Sequence, residues 1–354
     1  MELIHRSVLL EPTVAALVDP AFSARRLRSL SDLDSVGGIF VDATFGRGGH
    51  SRELLKLLRS DAQLYVIDKD PEAIAIAQQL AAEDSRVHVI HAGFGAIAQE
   101  LEARGVTAID GVMMDLGVSS PQLDDAQRGF SFMRDGPLDM RMNNASGPTA
   151  AQWLAEADID EIKEVIADYG EERFAFQIAK AITTRRESEP LRTTHDLAEL
   201  VASVVRSREK GHHPATRTFQ AIRIYINREL EELAHALPLI LKLLKEGGRL
   251  AVISFHSLED RIVKQFMAAA SKPSLTQARL PIAEKDMQQP WLQTLGRVLP
   301  TADDIDANVR ARSAVLRVAE RTATPLEAGW EAVLDQVRDY AAVGGANSRR
   351  GRRR

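Results

Sequence analysis

Asp42-Ala43-Thr44-Phe45-Gly46-Arg47-Gly48-Gly49-His50 connects a short apolar run to a helical pattern through a glycine-rich turn. The apolar run, residues 38–42, predicts a buried strand, and the leucines at 54, 55, 57 and 58 predict a helix after the turn. Glycines in such a turn let the backbone approach a ligand closely. The stretch therefore predicts the ligand-binding edge of an open α/β sheet.

The same alternation of strand and helix continues along the first third of the chain. Strands are predicted at residues 63–68, at 87–90 and within 109–116. A helix is predicted from Asp70, as N-cap, and Pro71 to residue 82, and another over residues 94–103. Alternation of this kind indicates an α/β fold whose parallel sheet is covered by helices on both faces.

The alternation stops after the fourth predicted strand. Residues 119–144 are rich in Gly, Pro, Ser and Asp, and the segments that follow predict helices at 152–157, 159–169, 172–184 and 195–205. Strands return at 249–254, after a long helix from Thr218 and a Gly247-Gly248 turn, and again at 313–318. We therefore predict a helical subdomain inserted into the α/β domain. The predicted ranges are 1–124 and 216–322 for the α/β domain, 125–215 for the insertion, and 323–354 for a C-terminal extension with a disordered Arg-rich end.

Composition limits the classes of protein that remain. The 354 residues contain no Cys, which excludes disulfides, thiolate metal sites and Cys nucleophiles. The first residues lack the apolar run of a signal peptide, and no run reaches the length of a membrane span, so we expect a soluble intracellular protein with no membrane partner. The net charge is -5, yet residues 170–228 carry 11 Lys+Arg against 7 Asp+Glu. This local excess, with five Arg among the last six residues, leaves RNA contact open for both segments.

Three features at the predicted strand ends favour a nucleoside cofactor. The glycine turn follows the first strand, Asp68 ends the second, and Phe94 follows the third. A carboxylate at Asp68 suits two ribose hydroxyls, and Phe94 suits an adenine face. The spacing is neither that of a dinucleotide-binding loop nor that of a P-loop, and the acid-x-x-x-Gly-x-Gly form suits S-adenosylmethionine better. The alternative is a purely structural turn, with Asp68 as a cap and Phe94 in the core.

Asp115 ends the fourth strand, in the position that would face a methyl donor. Its side chain is our candidate catalytic group, and the alternative is a cofactor contact or a loop cap. Residues 122–142 mix Arg, aromatic and Met residues with Gly, which is compatible with a lid that stacks on an extruded base and binds phosphates. The alternative is a structural loop. The candidate substrate contacts in this lid are Arg128, Phe130, Phe132 and Arg134.

Further candidates lie beyond the insertion. Arg217 and Arg223 are candidates for phosphate or base contact, and His256 is a candidate for the pocket wall. His212 and His213 do not predict a metal site, because adjacent residues do not share a helix face and no third ligand is near. Ser257-x-x-Asp260 predicts a helix start. The chain lacks a G-x-S-x-G nucleophile elbow, which argues against a serine hydrolase.

Long motifs in the chain resemble the bacterial small-subunit (16S) rRNA cytosine-N(4) methyltransferase family. The resemblance runs from His5 to about Arg321 and rests on residues 44–51, 115–124, 128–142, 169–174, 213–220 and 254–261. It implies a Rossmann-like S-adenosylmethionine-dependent methyltransferase sheet with an inserted substrate domain. It also implies methylation of a cytosine in the decoding region of 16S rRNA, in the cytoplasm, with 16S rRNA or the small ribosomal subunit as partner. The cofactor contacts it implies are Gly48, Gly49, His50, Asp68, Phe94, Asp115 and Gln122.

A cytosine amino group is a poor nucleophile, because its lone pair is delocalised into the ring. Asp115, or a nearby carbonyl, would hold its N–H groups while the nitrogen becomes pyramidal. The D-P-P-Y motif of DNA amino methyltransferases is absent, so Phe130 or Phe132 would have to supply the stacking aromatic ring. The residues leave open a methyltransferase acting on DNA or protein, a nicotinamide-dependent dehydrogenase, a non-catalytic RNA-binding factor, and a homodimer.

Overall fold

The computed structural model describes residues 7–205, 213–271, 289–326, 330 and 341. Most of the predicted 323–354 extension, its Arg-rich end and His212 therefore lie outside the described residues. The chain divides into two compact units, and the predicted domain ranges stay a prediction. The first, here called the sheet unit, spans residues 1–117 and 232–338. The second, the helical unit, spans 118–231 and 339–354.

The sheet unit contains one mixed sheet with strand order β3-β2-β1-β4-β5-β7-β6. The strands are β1 (Ile39–Asp42), β2 (Gln63–Asp68), β3 (Val87–His91), β4 (Ile109–Asp115), β5 (Leu244–Ser254), β6 (Leu292–Val298) and β7 (Val315–Arg321). β1 to β5 are parallel, and β7 runs antiparallel to both β5 and β6. The predicted α/β class is confirmed, and β6 was not anticipated from the sequence.

Apart from α1, which precedes β1, the helices of the sheet unit follow strands, as the alternation predicted. They are α1 (Leu10–Val18), α2 (Gly49–Leu55), α3 (Pro71–Glu83), α4 (Ile97–Glu102), α12 (Ser257–Ala270) and α13 (Ala302–Ala307), numbered in chain order with those of the helical unit. One core cluster joins buried residues of α1, α2 and α3 to apolar side chains of β1, β2, β4 and β5. This packing fixes the carboxyl ends of those strands, where the candidate residues lie.

The helical unit contains seven helices in its described part. They are α5 (Ser120–Asp124), α6 (Ala150–Glu156), α7 (Ile159–Gly170), α8 (Ala175–Arg186), α9 (Thr194–Val204), α10 (Thr216–Asn227) and the first turn of α11 (Glu229–Leu243), which continues into the sheet unit. α7 packs against α8 and α10 through buried aliphatic residues such as Ile162, Ile166 and Ile222.

Three local predictions were wrong. The single long helix from Thr218 is two helices, because Arg228 adopts a left-handed conformation (φ 51°) that ends α10. Gly247 and Gly248 lie within β5, where its pairing with β4 is irregular, rather than in a turn before it. The N-cap of α12 is His256 rather than Ser257, and Glu259 completes its capping box.

Candidate active site

Three aspartates share one face of the sheet at the carboxyl ends of their strands. Asp42 ends β1 and is in register with Val66 of β2 and Met113 of β4. Side chains two residues apart in a strand point to the same face, so Asp68 and Asp115 lie on the same face as Asp42. This is also the face that α1, α2 and α3 cover. The topology therefore gathers carboxyl groups that are far apart in the sequence.

The glycine turn needs its glycines for backbone conformation and for space. Gly46 and Gly48 have positive φ values of 55° and 77°, which favour glycine. A Cβ atom on Gly48 would lie 2.6 Å from the Phe45 ring, and one on Gly49 would lie 2.0 Å from Ser7 Oγ. The turn thus runs tightly into α2, as the sequence predicted.

Asp68 fastens this turn to the end of β2. Its Oδ2 accepts a hydrogen bond from the Gly46 N–H at 2.8 Å, and its Oδ1 accepts one from the Asp70 N–H at 2.8 Å. Burial raises the pKa of Asp68, while these two backbone hydrogen bonds act in the opposite direction. Each carboxylate oxygen keeps a further lone pair, so the pair of oxygens can still accept two ribose hydroxyls.

The loop that carries Phe94 is held by a residue that the sequence analysis missed. Glu232, in α11, accepts a hydrogen bond from the Gly95 N–H at 3.0 Å and forms an ion pair with Lys69. A Cβ atom on Gly93 would lie 2.0 Å from Glu232 Oε1, so a larger residue there would displace the Glu232 carboxylate. Lys69 Nζ also lies 5.7 Å from the centroid of the Phe94 ring. Glu232 is more than 130 residues from this loop, and only the three-dimensional fold brings them together.

His50, at the start of α2, lies beside Asp115. Its Nε2 lies 3.1 Å from the Val8 carbonyl oxygen, and its Nδ1 lies 3.6 Å from Asp115 Oδ2. Burial lowers the pKa of His50 to about 4, so the ring is neutral at physiological pH. Because a carbonyl can only accept, Nε2 carries the ring hydrogen, and the Nδ1 lone pair faces Asp115.

Asp115 is positioned by its backbone while its carboxyl group remains available. The Asp115 N–H donates to Thr44 Oγ1 at 2.6 Å. Its Oδ1 is buried and has no hydrogen-bond partner within the described residues, although 30% of the side chain is exposed. Burial raises the pKa of Asp115 well above its usual value, and the charges of Asp42 and Glu259 raise it further. An unpartnered buried oxygen at a strand end is the kind of group that a ligand completes.

The turn after β5 brings His256 and Glu259 to this end of the sheet. Glu259 Oε2 accepts hydrogen bonds from the N–H groups of Phe255 at 2.8 Å and His256 at 3.4 Å. The Glu259 N–H in turn donates to His256 Nδ1 at 3.4 Å, which places the ring hydrogen on Nε2. That Nε2 is buried and makes no hydrogen bond in the described part of the chain. It lies 3.2 Å from Glu259 Oε1, so His256, a predicted wall residue, is held against the Glu259 carboxylate.

The remaining predicted cofactor residue, Gln122, belongs to the helical unit. It is buried at the start of α5, where its Oε1 accepts a hydrogen bond from the Ser119 N–H at 2.9 Å in a capping box. A cofactor contact by Gln122 stays a prediction.

Several predicted substrate contacts in the helical unit have structural partners. Arg128 is buried and donates to the carbonyl oxygens of Arg141 and Met142, and Phe130 is also buried. Arg223 forms a two-bond ion pair with Glu229. These contacts give the three side chains structural roles, and an RNA contact by any of them stays a prediction.

Phe132, Arg134 and Arg217 are more accessible. The Phe132 ring packs between His213 and Phe219, with centroids 4.6 and 4.9 Å away. Arg134 is exposed and donates to the Asp124 carbonyl oxygen, and Arg217 is half-buried in the first turn of α10. The next residue after Phe132, Met133, is 81% exposed. This segment therefore presents apolar and cationic side chains at a surface.

The strand order with its single reversed strand, and the glycine turn between strand-end carboxylates, define an S-adenosylmethionine-dependent methyltransferase. The unpartnered Asp115 Oδ1 and the two acceptor oxygens of Asp68 fit that cofactor. Residues 2–322 match the model of the MraW methylase family, and the chain belongs to that family. In the described residues, no helix is long and apolar enough to cross a membrane.

Curated relatives align over nearly the whole chain. The protein named "Ribosomal RNA small subunit methyltransferase H" of Bordetella petrii is 62% identical over 362 residues, which cover 100% of this chain and 99% of that protein. The protein of the same name in Bordetella avium is 63% identical, with 93% of this chain and 94% of that protein covered. That of Chromobacterium violaceum is 53% identical, with 92% and 98% covered.

Proposed function

We propose that this enzyme transfers the methyl group of S-adenosylmethionine to the 4-amino group of a cytosine in the decoding region of small-subunit ribosomal RNA. The main support is the near-complete alignment with relatives whose name specifies small-subunit ribosomal RNA. The 4-amino position and the decoding region rest on the motif resemblance. We also propose that the enzyme acts in the cytoplasm on 16S rRNA or the small subunit, and a homodimer stays a prediction.

The bound cofactor would supply an electrophilic methyl group. Asp68 would accept the ribose hydroxyls, and Phe94, held by its glycine neighbours and Glu232, would cover the adenine. Asp115 Oδ1 would accept an N–H of the target amine and so orient its lone pair toward the methyl carbon. The reacting atoms need a separation of about 3–3.5 Å, so alignment supplies most of the catalysis.

We expect the purified enzyme to label small-subunit rRNA with tritium from S-adenosylmethionine, and to leave DNA and protein fractions unlabelled. Nucleoside mass spectrometry should then find N4-methylcytosine as the product. Naked 16S rRNA and assembled small subunits, tested in parallel, identify the substrate form. Label on DNA or protein, or a methyl group at another position, would contradict the proposal.

The exposed segment around Phe132 carries a second prediction. Base stacking on an aromatic ring contributes about 1–3 kcal/mol, so Phe132→Ala should lower kcat/KM for RNA by about 10- to 100-fold. The Kd for S-adenosylmethionine, measured by calorimetry, should stay the same. Phe176 is a matched control, because it is exposed in the same unit but lies outside the lid. Equal activities of Phe132→Ala and Phe176→Ala would show that Phe132 does not stack on the base.

A further inference from the structure

The three strand-end aspartates differ in how their oxygens are satisfied. Asp42 accepts from Ser51 Oγ at 2.6 Å and from the Thr44 N–H at 3.2 Å. Asp68 accepts from two backbone N–H groups. Asp115 alone has a buried oxygen, Oδ1, with no hydrogen-bond partner among the described residues. Of the three carboxyl groups, that of Asp115 is therefore the one whose buried oxygen the fold leaves without a hydrogen-bond donor.

The surroundings of Asp115 disfavour a negative charge. Asp42 in β1 and Glu259 in α12 are both carboxyl groups, and each raises the pKa of Asp115. His50 in α2 is neutral, with its Nδ1 lone pair 3.6 Å from Asp115 Oδ2, so it provides no positive charge. Burial disfavours the ionised form further. Without a ligand, the carboxyl group keeps its proton to a higher pH than an exposed aspartate does.

The methyl donor brings one positive charge to the site, on its sulfonium, and the demethylated product has none there. We propose that the Asp115 carboxylate compensates the sulfonium charge in the bound enzyme and then takes the proton that the methylated amine releases. One side chain thus balances the same unit of positive charge before and after methyl transfer. The second step rests on the proposed amine methylation, whereas the first requires only cofactor binding.

Atoms and charges balance in this sequence. The amine nitrogen forms a bond to the methyl carbon, and the bond from that carbon to sulfur breaks with its electron pair left on sulfur. The nitrogen is then cationic, and an N–H bond breaks with its pair left on nitrogen. The proton passes to Asp115 Oδ1. The carboxyl group is now neutral and no longer faces a sulfonium. Its buried surroundings favour this neutral form.

This assignment predicts that cofactor binding is coupled to proton release. S-adenosylmethionine should displace a proton from Asp115, and its demethylated product, S-adenosylhomocysteine, should not. By linkage, the Kd for S-adenosylmethionine should fall by up to about tenfold per unit rise in pH, below the pKa of Asp115 in the free enzyme. The Kd for the product should change much less. Below about pH 7 both ligands carry a protonated amino group and an ionised carboxylate, so in that range the difference between the ligands isolates the site.

Calorimetric titrations in phosphate and in Tris, at several pH values, count the protons released. We expect a difference approaching one proton between the two ligands for the wild type, and no difference for Asp115→Asn. Asp42→Asn is the matched variant, because Asp42 is another buried carboxyl group at a strand end, with a pKa raised to about 6. It should keep the difference, displaced to lower pH, because Asp42 raises the pKa of Asp115. Binding of the product, which lacks the sulfonium, to Asp115→Asn verifies that this variant is folded.

Two outcomes would overturn the inference. One is an equal proton count for both ligands in the wild type, together with parallel pH dependences of Kd. The other is a proton difference that Asp42→Asn abolishes and Asp115→Asn keeps. Neither outcome depends on RNA. Failure to methylate RNA by an enzyme with normal coupled proton release would instead refute the proposed substrate.

Discussion

Asp68→Ala is expected to weaken S-adenosylmethionine binding by at least about 100-fold while the protein remains folded. Hydrogen bonds to a charged group contribute about 1.5–3 kcal/mol each, and two ribose hydroxyls would lose such a partner. The variant also releases the glycine turn, because the Gly46 N–H loses its acceptor. Since burial raises the pKa of Asp68, the fold gains little from its charge, and circular dichroism should show a native spectrum.

Asp84 offers the control for this variant. It lies at the opposite end of α3, where its carboxylate pairs with Arg86. Removing this carboxylate should leave the Kd for S-adenosylmethionine within about twofold, because its contacts are local and lie at the end of α3 away from Asp70. Calorimetry on both variants decides the matter. A wild-type Kd for folded Asp68→Ala would show that Asp68 only ties the turn to β2 and contacts no ribose.

The sequence predicted the cofactor side of the site well because its signals are local. A glycine turn, a strand-end Asp68 and the Asp70-Pro71 helix start are all encoded within about 35 residues. The strand at residues 63–68 was predicted with the bounds that the structure gives it. Where backbone conformation and hydrophobic period agree, pattern reasoning is sufficient.

The sequence could not reveal contacts that depend on the order of strands in the sheet, or contacts between residues before and after the helical insertion. Glu232 comes after the whole insertion in the chain, yet its carboxylate accepts a hydrogen bond from the Gly95 N–H, next to Phe94. The pKa of Asp115 depends on the charge of Glu259. Glu259 follows β5, which pairs with the strand that ends at Asp115. Neither residue type nor spacing encodes such proximity.

Glu229→Gln is expected to destabilise the helical unit by about 3–5 kcal/mol, the range found when one member of a buried ion pair is removed. Glu229 accepts from Arg223 Nε at 2.8 Å and from Nη2 at 3.0 Å, and the two side chains are only 9% and 15% exposed. The variant leaves the guanidinium buried with a neutral partner. Urea denaturation followed by circular dichroism measures the loss.

Glu231→Gln, two residues away, is the matched control. Its partner Arg228 is 78% exposed, so this ion pair contributes less than about 0.5 kcal/mol. The pair of variants therefore separates burial from charge, since both remove one carboxylate from the first turn of α11. Similar losses for the two would contradict the expected difference.

The double variant Arg223→Met, Glu229→Leu distinguishes structure from RNA contact. Replacing a whole buried ion pair by apolar side chains of similar size is often neutral, so we expect most of the stability to return. If Arg223 acts only within the fold, this stable variant should methylate RNA at close to the wild-type rate. A stable double variant with weakened RNA binding would show that Arg223 also contacts phosphate or base. The ion pair with Glu229 would then orient the guanidinium for RNA binding. Arg223 would have both the structural role and the predicted phosphate or base contact.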